Sequence, residues 1–469
     1  MKIIKLLSIF VFFINFNLNA QFDSPIIIDD SFSINKRNIV TFDVDNDGKK
    51  DIILSSFSNN IVWYKNLGTS FSASQSITSA FTAPYHLNFG DVNGDGYIDL
   101  LATNNNDNNS SVSVFINNNG GLTWSEIVLN SNLPLGAFKS FLIDVENDGD
   151  LDVVTNSDTK ITMCKNNGTG VFTAPILIES ATEYYSMTVA DFNGNGFKDL
   201  ILNTGTFGME LFTNNTTGSF NSPTVIINDG IRLFLSSFDI DNDGDIDVIS
   251  GNPLANQGID FFNNNLNTFN KIYTVSQINN VDVPLSQFHH SKLNTYAFYD
   301  ILYIDNNDAN LYWKANNQSG VFGNSILIDD SYVYKIVYSD DLDNDGDNDI
   351  IWLGLNTTNN LFNLGYISNQ SPLSVETYNN ENEIKIYPNP TSDSISVNTD
   401  VIEINIFNTV GQIITNSNQN IVDVSNLEAG MYFINILSKK NLYKTTIHKA
   451  IRKYFKKITK GQQVDLLSF

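Results

Sequence analysis

The feature that most constrains this chain is an acidic nine-residue segment that returns at a nearly fixed interval. It reads DVDNDGKKD (43–51), DVNGDGYID (91–99), DVENDGDLD (144–152), DFNGNGFKD (191–199), DIDNDGDID (239–247) and DLDNDGDND (341–349). The last two are about twice as far apart as the others, and midway between them lies KLNTYAFYD (292–300), which keeps Asp300 and loses the earlier acids. First positions then fall at 43, 91, 144, 191, 239, 292 and 341, in steps of 47 to 53 residues. Seven copies at such a period predict an array of one supersecondary unit, each too small to bury its apolar surface alone.

The contents of each unit predict strands. An alternating run such as YHLNFG (85–90) enters the acidic segment and one such as DIILSS (51–56) leaves it. A third run follows, as in IVWYKN (61–66), SVFINN (113–118), TMCKNN (162–167) or LYWKAN (311–316). A Gly-x-Phe turn then leads to a fourth, as in FTAPILI (172–178). Four short strands per unit, with no helical periodicity, give an all-β fold: a seven-bladed β-propeller, with an open solenoid as the alternative. The ends of the array favour a closed ring. FDSPIIIDDS (22–31) matches the fourth-strand segment FGNSILIDDS (322–331), and the last unit has only three strands of its own before 369. Residues 22–29 should therefore pair with 361–368 and cover an otherwise open edge.

The flanks differ from the array. Residues 1–20 carry Lys2 and Lys5, an apolar run over 6–14 and Ala20, the pattern of a cleaved secretory signal. No later stretch approaches the ~18 apolar residues of a membrane span, so no transmembrane segment is expected in the mature chain. After a polar linker (369–380), IKIYPNPTSDSISVNT, IEINIFNTVGQII, VDVSNLEAGMYFINI and KTTIHK alternate apolar and polar residues between Pro, Asn and Gly. Tyr-Pro-Asn-Pro-Thr, Asn-Thr-Val-Gly and Leu-Glu-Ala-Gly-Met-Tyr-Phe, in that order, resemble the C-terminal sorting domain of type IX secretion. The resemblance covers 381–450 and implies a small Ig-like β-sandwich, export through the type IX machinery, and a secreted or outer-cell-surface location. Residues 451–469, with Arg452, Lys453, Lys456, Lys457 and Lys460, extend beyond that pattern as a basic tail.

Within each acidic segment, acids or amides stand at positions 1, 3, 5 and 9 with Gly at 6. Side chains at 1, 3 and 5 converge when the backbone curls, and Gly at 6 allows the positive φ of the bend. Oxygen ligands without His or Cys select Ca²⁺ over Zn²⁺ or copper, and a flexible all-protein cage suits Ca²⁺ better than Mg²⁺. These loops are similar to the FG-GAP (VCBS) repeat, and that resemblance implies as ligands Asp43, Asp45, Asp47 and Asp51; Asp91, Asn93, Asp95 and Asp99; Asp144, Glu146, Asp148 and Asp152; Asp191, Asn193, Asn195 and Asp199; Asp239, Asp241, Asp243 and Asp247; and Asp341, Asp343, Asp345 and Asp349. About six structural Ca²⁺ sites follow, the Asp191–Asp199 loop being the weakest because it has only two acids. An EF-hand would need an acid at position 12, where Leu54, Ala102, Thr155, Leu202, Ser250 and Trp352 stand. Short acidic loops within β-hairpins resemble instead the FG-GAP (VCBS) repeat of integrin-α-type propellers, over roughly 22–368. In the copy without acids, Lys292 is expected to replace the ion and pair with Asp300.

The net charge of −25 argues against nucleic acid as a partner. The single cysteine, Cys164, reads as a buried small hydrophobe, Trp63 and Trp313 as blade packing, His86 as a core residue, and His289 and His290 as a solvated pair. No nucleophile elbow or phosphate loop is present. Every acidic loop fills its ligand positions from the protein, which suits a structural ion better than a catalytic one. On the face away from the acidic loops, Tyr85, Tyr184, Tyr185, Arg232, Tyr332 and Tyr334 suit a glycan or protein ligand. The reading is thus a surface-displayed binding or adhesion module. Its rivals are a propeller-based polysaccharide lyase or hydrolase, for which Glu183 with Arg232 is one pairing, and a structural surface-layer component.

Overall fold

The computed structural model describes residues 21–370 except 33–35, 57–59, 82–83, 106–109, 134–136, 181–182, 206–207, 231, 233, 252–257, 266, 276–287, 295–297, 306–307 and 317–319. It also describes 386–449 except 388–392, 398–400, 409–412, 428–429 and 439–441. The signal segment 1–20, most of the linker and the basic tail 451–469 lie outside the described residues. No described helix is long and apolar enough to cross a membrane.

Seven four-stranded antiparallel sheets are described between Gln21 and Gln370. Blade 1 is Lys36–Phe42, Asp51–Ser56, Ile61–Tyr64 and Gln75–Thr78. Blade 2 is Pro84–Gly90, Asp99–Asn104, Ser110–Asn118 and Thr123–Leu133; blade 3 is Ala137–Ile143, Asp152–Ser157, Lys160–Cys164 and Ile176–Ser180. Blade 4 is Tyr184–Ala190, Asp199–Thr204, Gly208–Phe212 and Thr224–Ile227; blade 5 is Leu235–Phe238, Asp247–Gly251, Ile259–Asn265 and Thr268–Val275. Blade 6 is Phe288–Ser291, Asp300–Ile304, Leu311–Lys314 and Ile326–Asp329. In blade 7, Val333–Asp340, Asp349–Asn356 and Leu361–Ile367 are joined by the N-terminal strand Ile26–Phe32, which pairs with Leu361–Ile367. The fold is a seven-bladed β-propeller.

The second strand of each blade explains the stacking. In blades 1 to 4 it is six residues long and buried throughout, so both faces of the sheet are covered. The apolar core is accordingly divided into seven layers, one at each blade interface. Val40, Ile53 and Trp63 of blade 1 meet Leu87, Leu100 and Phe115 of blade 2. The layer that closes the ring joins Ile52, Leu54 and Tyr64 of blade 1 to Ile351, Leu353 and Leu364 of blade 7, with Ile28 of the N-terminal strand against it. Burying each such Leu or Ile contributes about 1.5–3 kcal/mol, and a closed ring leaves no end layer exposed.

Closure depends on a close backbone approach. Ile27 pairs with Gly365, and a Cβ on Gly365 would lie 2.5 Å from the Ile26 carbonyl oxygen and 2.3 Å from Trp352 Cζ2. Gln21–Phe22 then pairs with Asn369–Gln370. Asn369 and Gln370, placed in the linker by sequence, therefore belong to the closing strands, because their backbone groups find partners there.

The second unit contains two sheets. One has three strands, Ile386–Tyr387, Ser394–Val397 and Ile421–Asp423; the other, in spatial order, has Ile413–Ser417, Val401–Phe407, Gly430–Ser438 and Leu442–Lys449. Ile395, Val397 and Val422 from the first share a buried cluster with Ile404, Ile406, Ile434 and Ile436 from the second, which makes a small β-sandwich.

Candidate metal centres

Each acidic loop joins the first and second strands of its blade, and two residues anchor it. Position 2 is apolar in all seven copies: Val44, Val92, Val145, Phe192, Ile240, Leu293 and Leu342 are each at most 4% exposed. Position 9 is a buried Asp that receives backbone N–H groups. In blade 1, Asp51 Oδ2 accepts from Val44 N at 2.9 Å and Oδ1 from Asn66 N at 2.7 Å. The same pair of bonds forms at Asp99, Asp152, Asp199, Asp247 and Asp349. Burial, opposed by these N–H donors, pushes the carboxyls of Asp51, Asp152, Asp247 and Asp349 up to about 7 and that of Asp99 to about 6.

The Asn that donates to position 9 also links the blades. Asn117 Nδ2 donates to Val44 O of the preceding blade at 2.8 Å. Asn166, Asn214, Asn264, Asn316 and Asn369 reach Val92, Val145, Phe192, Ile240 and Leu293 in the same way, at 2.7–3.1 Å. Asn66 completes the circle by donating to Leu342 O of blade 7 at 2.8 Å. Sequence reasoning missed this ring of seven side-chain bridges. Its signal was present, because an Asn ends every third run quoted above, but it reads there as an ordinary turn residue.

The exposed part of the loop is a tight curl. Position 1 accepts from the Gly at position 6 in all six acidic copies, from 2.7 Å at Asp43–Gly48 to 3.1 Å at Asp341–Gly346. The Gly residues at position 6 have φ between 86° and 98°. Position 4 is left-handed too, at Asn46, Gly94, Asn147, Gly194, Asn242 and Asn344. Only Asn and Gly occur there, the residues that tolerate this conformation, a second signal left unread in the sequence. At position 5 the side chain accepts from the N–H of position 7, as in Asp47–Lys49 at 3.1 Å and Asp95–Tyr97 at 2.9 Å.

In three loops the carboxylates at positions 1, 3 and 9 come together. Oxygens of Asp43, Asp45 and Asp51, of Asp239, Asp241 and Asp247, and of Asp341, Asp343 and Asp349 lie within 4.8 Å of one another. Buried Oδ1 atoms without a hydrogen-bond partner occur in these same loops, on Asp45, Asp239, Asp241 and Asp341. Buried anionic oxygens with no donor, close to like charges and with no His or Cys nearby, fit a hard divalent cation. Among the described residues the other three loops form no such acidic trio. In loop 3, Glu146 is paired with Lys165. In loops 2 and 4, position 3 is an amide: Asn93 Nδ2 donates to Asp95 at 3.0 Å and Asn193 Nδ2 to Asp199 at 3.0 Å.

Blade 6 corrects an expectation. Lys292 does not pair with Asp300; its Nζ lies 5.1 Å from the centre of the Tyr299 ring. Asp300 accepts instead from Asn294 Nδ2 and Asn316 N, at 2.7 and 2.8 Å. Neutral donors already satisfy the buried carboxylate, so an ammonium would have to lose its hydration for little gain.

Other residues singled out by sequence are largely structural. His289 and His290 are not a solvated pair: His290 stacks on Phe238 at 4.3 Å, His289 lies 4.5 Å from Tyr338, and burial lowers their imidazoles to about 4 and 3. His86 packs against Phe141 and burial lowers it to about 3. Trp63, Trp313 and Cys164 are buried. Arg232 is fully buried and bound to Asp229 and Asp260, while Glu183 accepts from the Tyr185 hydroxyl, so these two do not form an acid–base pair. Tyr184 and Tyr334 are core residues, leaving Tyr85 exposed and Tyr185 and Tyr332 half-buried.

The family models agree with this architecture. A model of the FG-GAP-like repeat matches residues 43–102, 91–155 and 144–202, and one of the secretion system C-terminal sorting domain matches 385–452. No curated protein sequence is significantly similar to the chain. Among solved structures, BBS1N in complex with ARL6DN, from lead-soaked crystals, aligns with a TM-score of 0.51 at 10% identity, covering 74% of this chain and 96% of that one. An Agrocybe aegerita lectin that recognises non-reducing terminal N-acetylglucosamine aligns with a TM-score of 0.49 at 20% identity, over 63% of this chain and 80% of its own. The sorting domain directs export through the type IX machinery and places the protein outside the cell. The chain therefore carries three FG-GAP-like repeats within its seven-bladed β-propeller and, after it, a type IX secretion sorting domain that marks it for export.

Proposed function

We propose that this propeller is a calcium-braced binding or adhesion module, displayed at the cell surface and presenting a glycan or protein ligand site on the face opposite the acidic loops. The observation that carries the calcium reading is the set of partnerless buried oxygens on Asp45, Asp239, Asp241 and Asp341, inside the three loops whose acids converge. Asp43, Asp45 and Asp51 of loop 1, Asp239, Asp241 and Asp247 of loop 5, and Asp341, Asp343 and Asp349 of loop 7 would hold an ion. Loops 2, 3 and 4 would use the equivalent positions. The ion supplies charge neutralisation and stiffness at the rim. At millimolar Ca²⁺ and a site constant near 10⁻⁴ M, each filled loop adds about 1.4 kcal/mol of stability.

On the opposite face, Tyr85 at 38% exposure offers a flat amphipathic surface of the kind that sugars and protein loops use. The test is a glycan-array and surface-protein binding screen of the exported chain, in calcium and in EDTA, with polysaccharide turnover followed in parallel. Saturable ligand capture that weakens in EDTA and in Tyr85→Ala is the expected result. Polysaccharide cleavage would favour the enzyme reading, and self-assembly without any ligand would favour the surface-layer reading.

A further inference from the structure

The residue just before each bridging Asn lies near the end of the third strand of its blade, one residue past it in five blades and inside it in blades 2 and 5. It is Lys65 in blade 1, Ile116 in blade 2, Lys165 in blade 3, Thr213 in blade 4, Asn263 in blade 5, Ala315 in blade 6 and Ser368 in blade 7. Lys65 Nζ bonds Asp45 and lies 3.1 Å from Asp47 Oδ2, while Lys165 Nζ bonds Glu146. Both lysine side chains are under 30% exposed, so they lie along the loop rather than in solvent. Where position 3 is an amide, at Asn93 and Asn193, the corresponding residue is uncharged. In blade 5 the neutral Asn263 Nδ2 contacts Asp241 Oδ2 at 2.6 Å, and blade 7 has only Ser368. Four-acid loops thus come in two kinds: 1 and 3 with a built-in ammonium on position 3, 5 and 7 without one.

We propose that Lys65 and Lys165 are tethered counter-cations that compete with the divalent ion and divide the four-acid loops into two affinity classes. This rests on the calcium reading above. Loops 5 and 7 fill first, because an arriving ion displaces only water and a neutral amide. Loops 1 and 3 fill only when the ammonium swings off position 3, so they stay folded at low calcium and load late. The lysines supply in blades 1 and 3 the role that Lys292 does not play in blade 6.

Native mass spectrometry and calorimetric titration of the full exported chain with Ca²⁺ test the proposal. The wild type should bind two ions in its tightest class. Lys65→Met combined with Lys165→Met should bind four, with the two added loops tightening at least tenfold, whereas Lys65→Arg with Lys165→Arg should keep two. In EDTA the double Met variant should melt below wild type, and millimolar Ca²⁺ should close that gap. An unchanged tight-class count, or weaker binding after removal of the lysines, overturns the proposal while leaving calcium binding intact. A chain that binds no calcium with or without the lysines overturns both. The single Lys165→Met variant, expected to bind three tight ions, makes the same test should the double variant fail to fold.

Discussion

Blades 5 and 6 are neighbours with the same strands and opposite loop chemistry. Blade 5 has Asp239, Asp241, Asp243 and Asp247; blade 6 has Lys292, Asn294 and, of the acids, only Asp300. Yet each buries an apolar position 2, each directs a position-9 Asp at the N–H of its bridging Asn, and each bridge reaches the previous blade at 2.7 Å. The partnerless oxygens of Asp239 and Asp241 have no counterpart among the described residues of blade 6, where the amide of Asn294 donates to Asp300. Position 9 and the bridging Asn therefore serve the fold whether or not the rest of the loop is acidic, and the acids that blade 6 lacks are those at positions 1, 3 and 5. Loop 4 is intermediate: its Asn193 amide meets Asp199 much as Asn294 meets Asp300.

The comparison breaks most completely if the ring is opened. Deleting residues 21–30 removes the fourth strand of blade 7 and part of the layer between blades 7 and 1, and should replace one cooperative melting transition by a broad or divided one in calorimetry. Gly365→Ala probes the same seam more finely. Its new Cβ meets the Ile26 carbonyl and the buried Trp352 ring, so a loss of about 1–3 kcal/mol is expected in denaturant unfolding.

Next in size is Asn316→Leu, in the blade without acids at positions 1, 3 and 5. It leaves the carbonyls of Ile240 and Tyr299 without their amide donor, at a cost of about 1–3 kcal/mol for each group that stays buried. That loss should be the same in EDTA and in calcium. A similar loss from Asp239→Asn in blade 5 should appear only with calcium present. Equal calcium dependence in the two variants would erase the distinction between fold and cation positions.

The smallest effect expected is a pH dependence from Asp300. Burial pushes its carboxyl up to about 7, against the donors that pull it down. A carboxyl whose folded pKa lies above its unfolded value makes the folded state bind more protons. Its contribution to stability is complete below about 4 and is lost as pH rises through about 7. In EDTA, the melting temperature should therefore fall between pH 5 and 7.5, and Asp300→Asn should make that fall shallower only by its own share, since Asp51, Asp99, Asp152, Asp247 and Asp349 are raised in the same way.

Much of this was legible in the chain. The period gave the blade count, strand alternation the sheets, and the likeness of 22–31 to 322–331 the partner of the N-terminal strand. Three kinds of information were not local enough to read. The bridging Asn residues bond across blades to carbonyls about seventy residues away, which no turn preference reveals. His289 and His290 sit between Phe238 and Tyr338 of adjoining blades, so their burial comes from ring packing and not from their polar neighbours in sequence. The sequence offers Lys292 as a stand-in for an ion in the copy without acids, whereas the ammonium groups that meet acidic loops are those of Lys65 and Lys165, just past the third strands of blades 1 and 3 and about twenty residues from the acids they bond.

The most direct measurement is an anomalous difference map from crystals of the exported protein grown in millimolar calcium. The account predicts peaks within the acidic loops, strongest between Asp239, Asp241 and Asp247 and between Asp341, Asp343 and Asp349, and no peak beside Asp300. A map without density in those two loops, or with a full peak in blade 6, would contradict it.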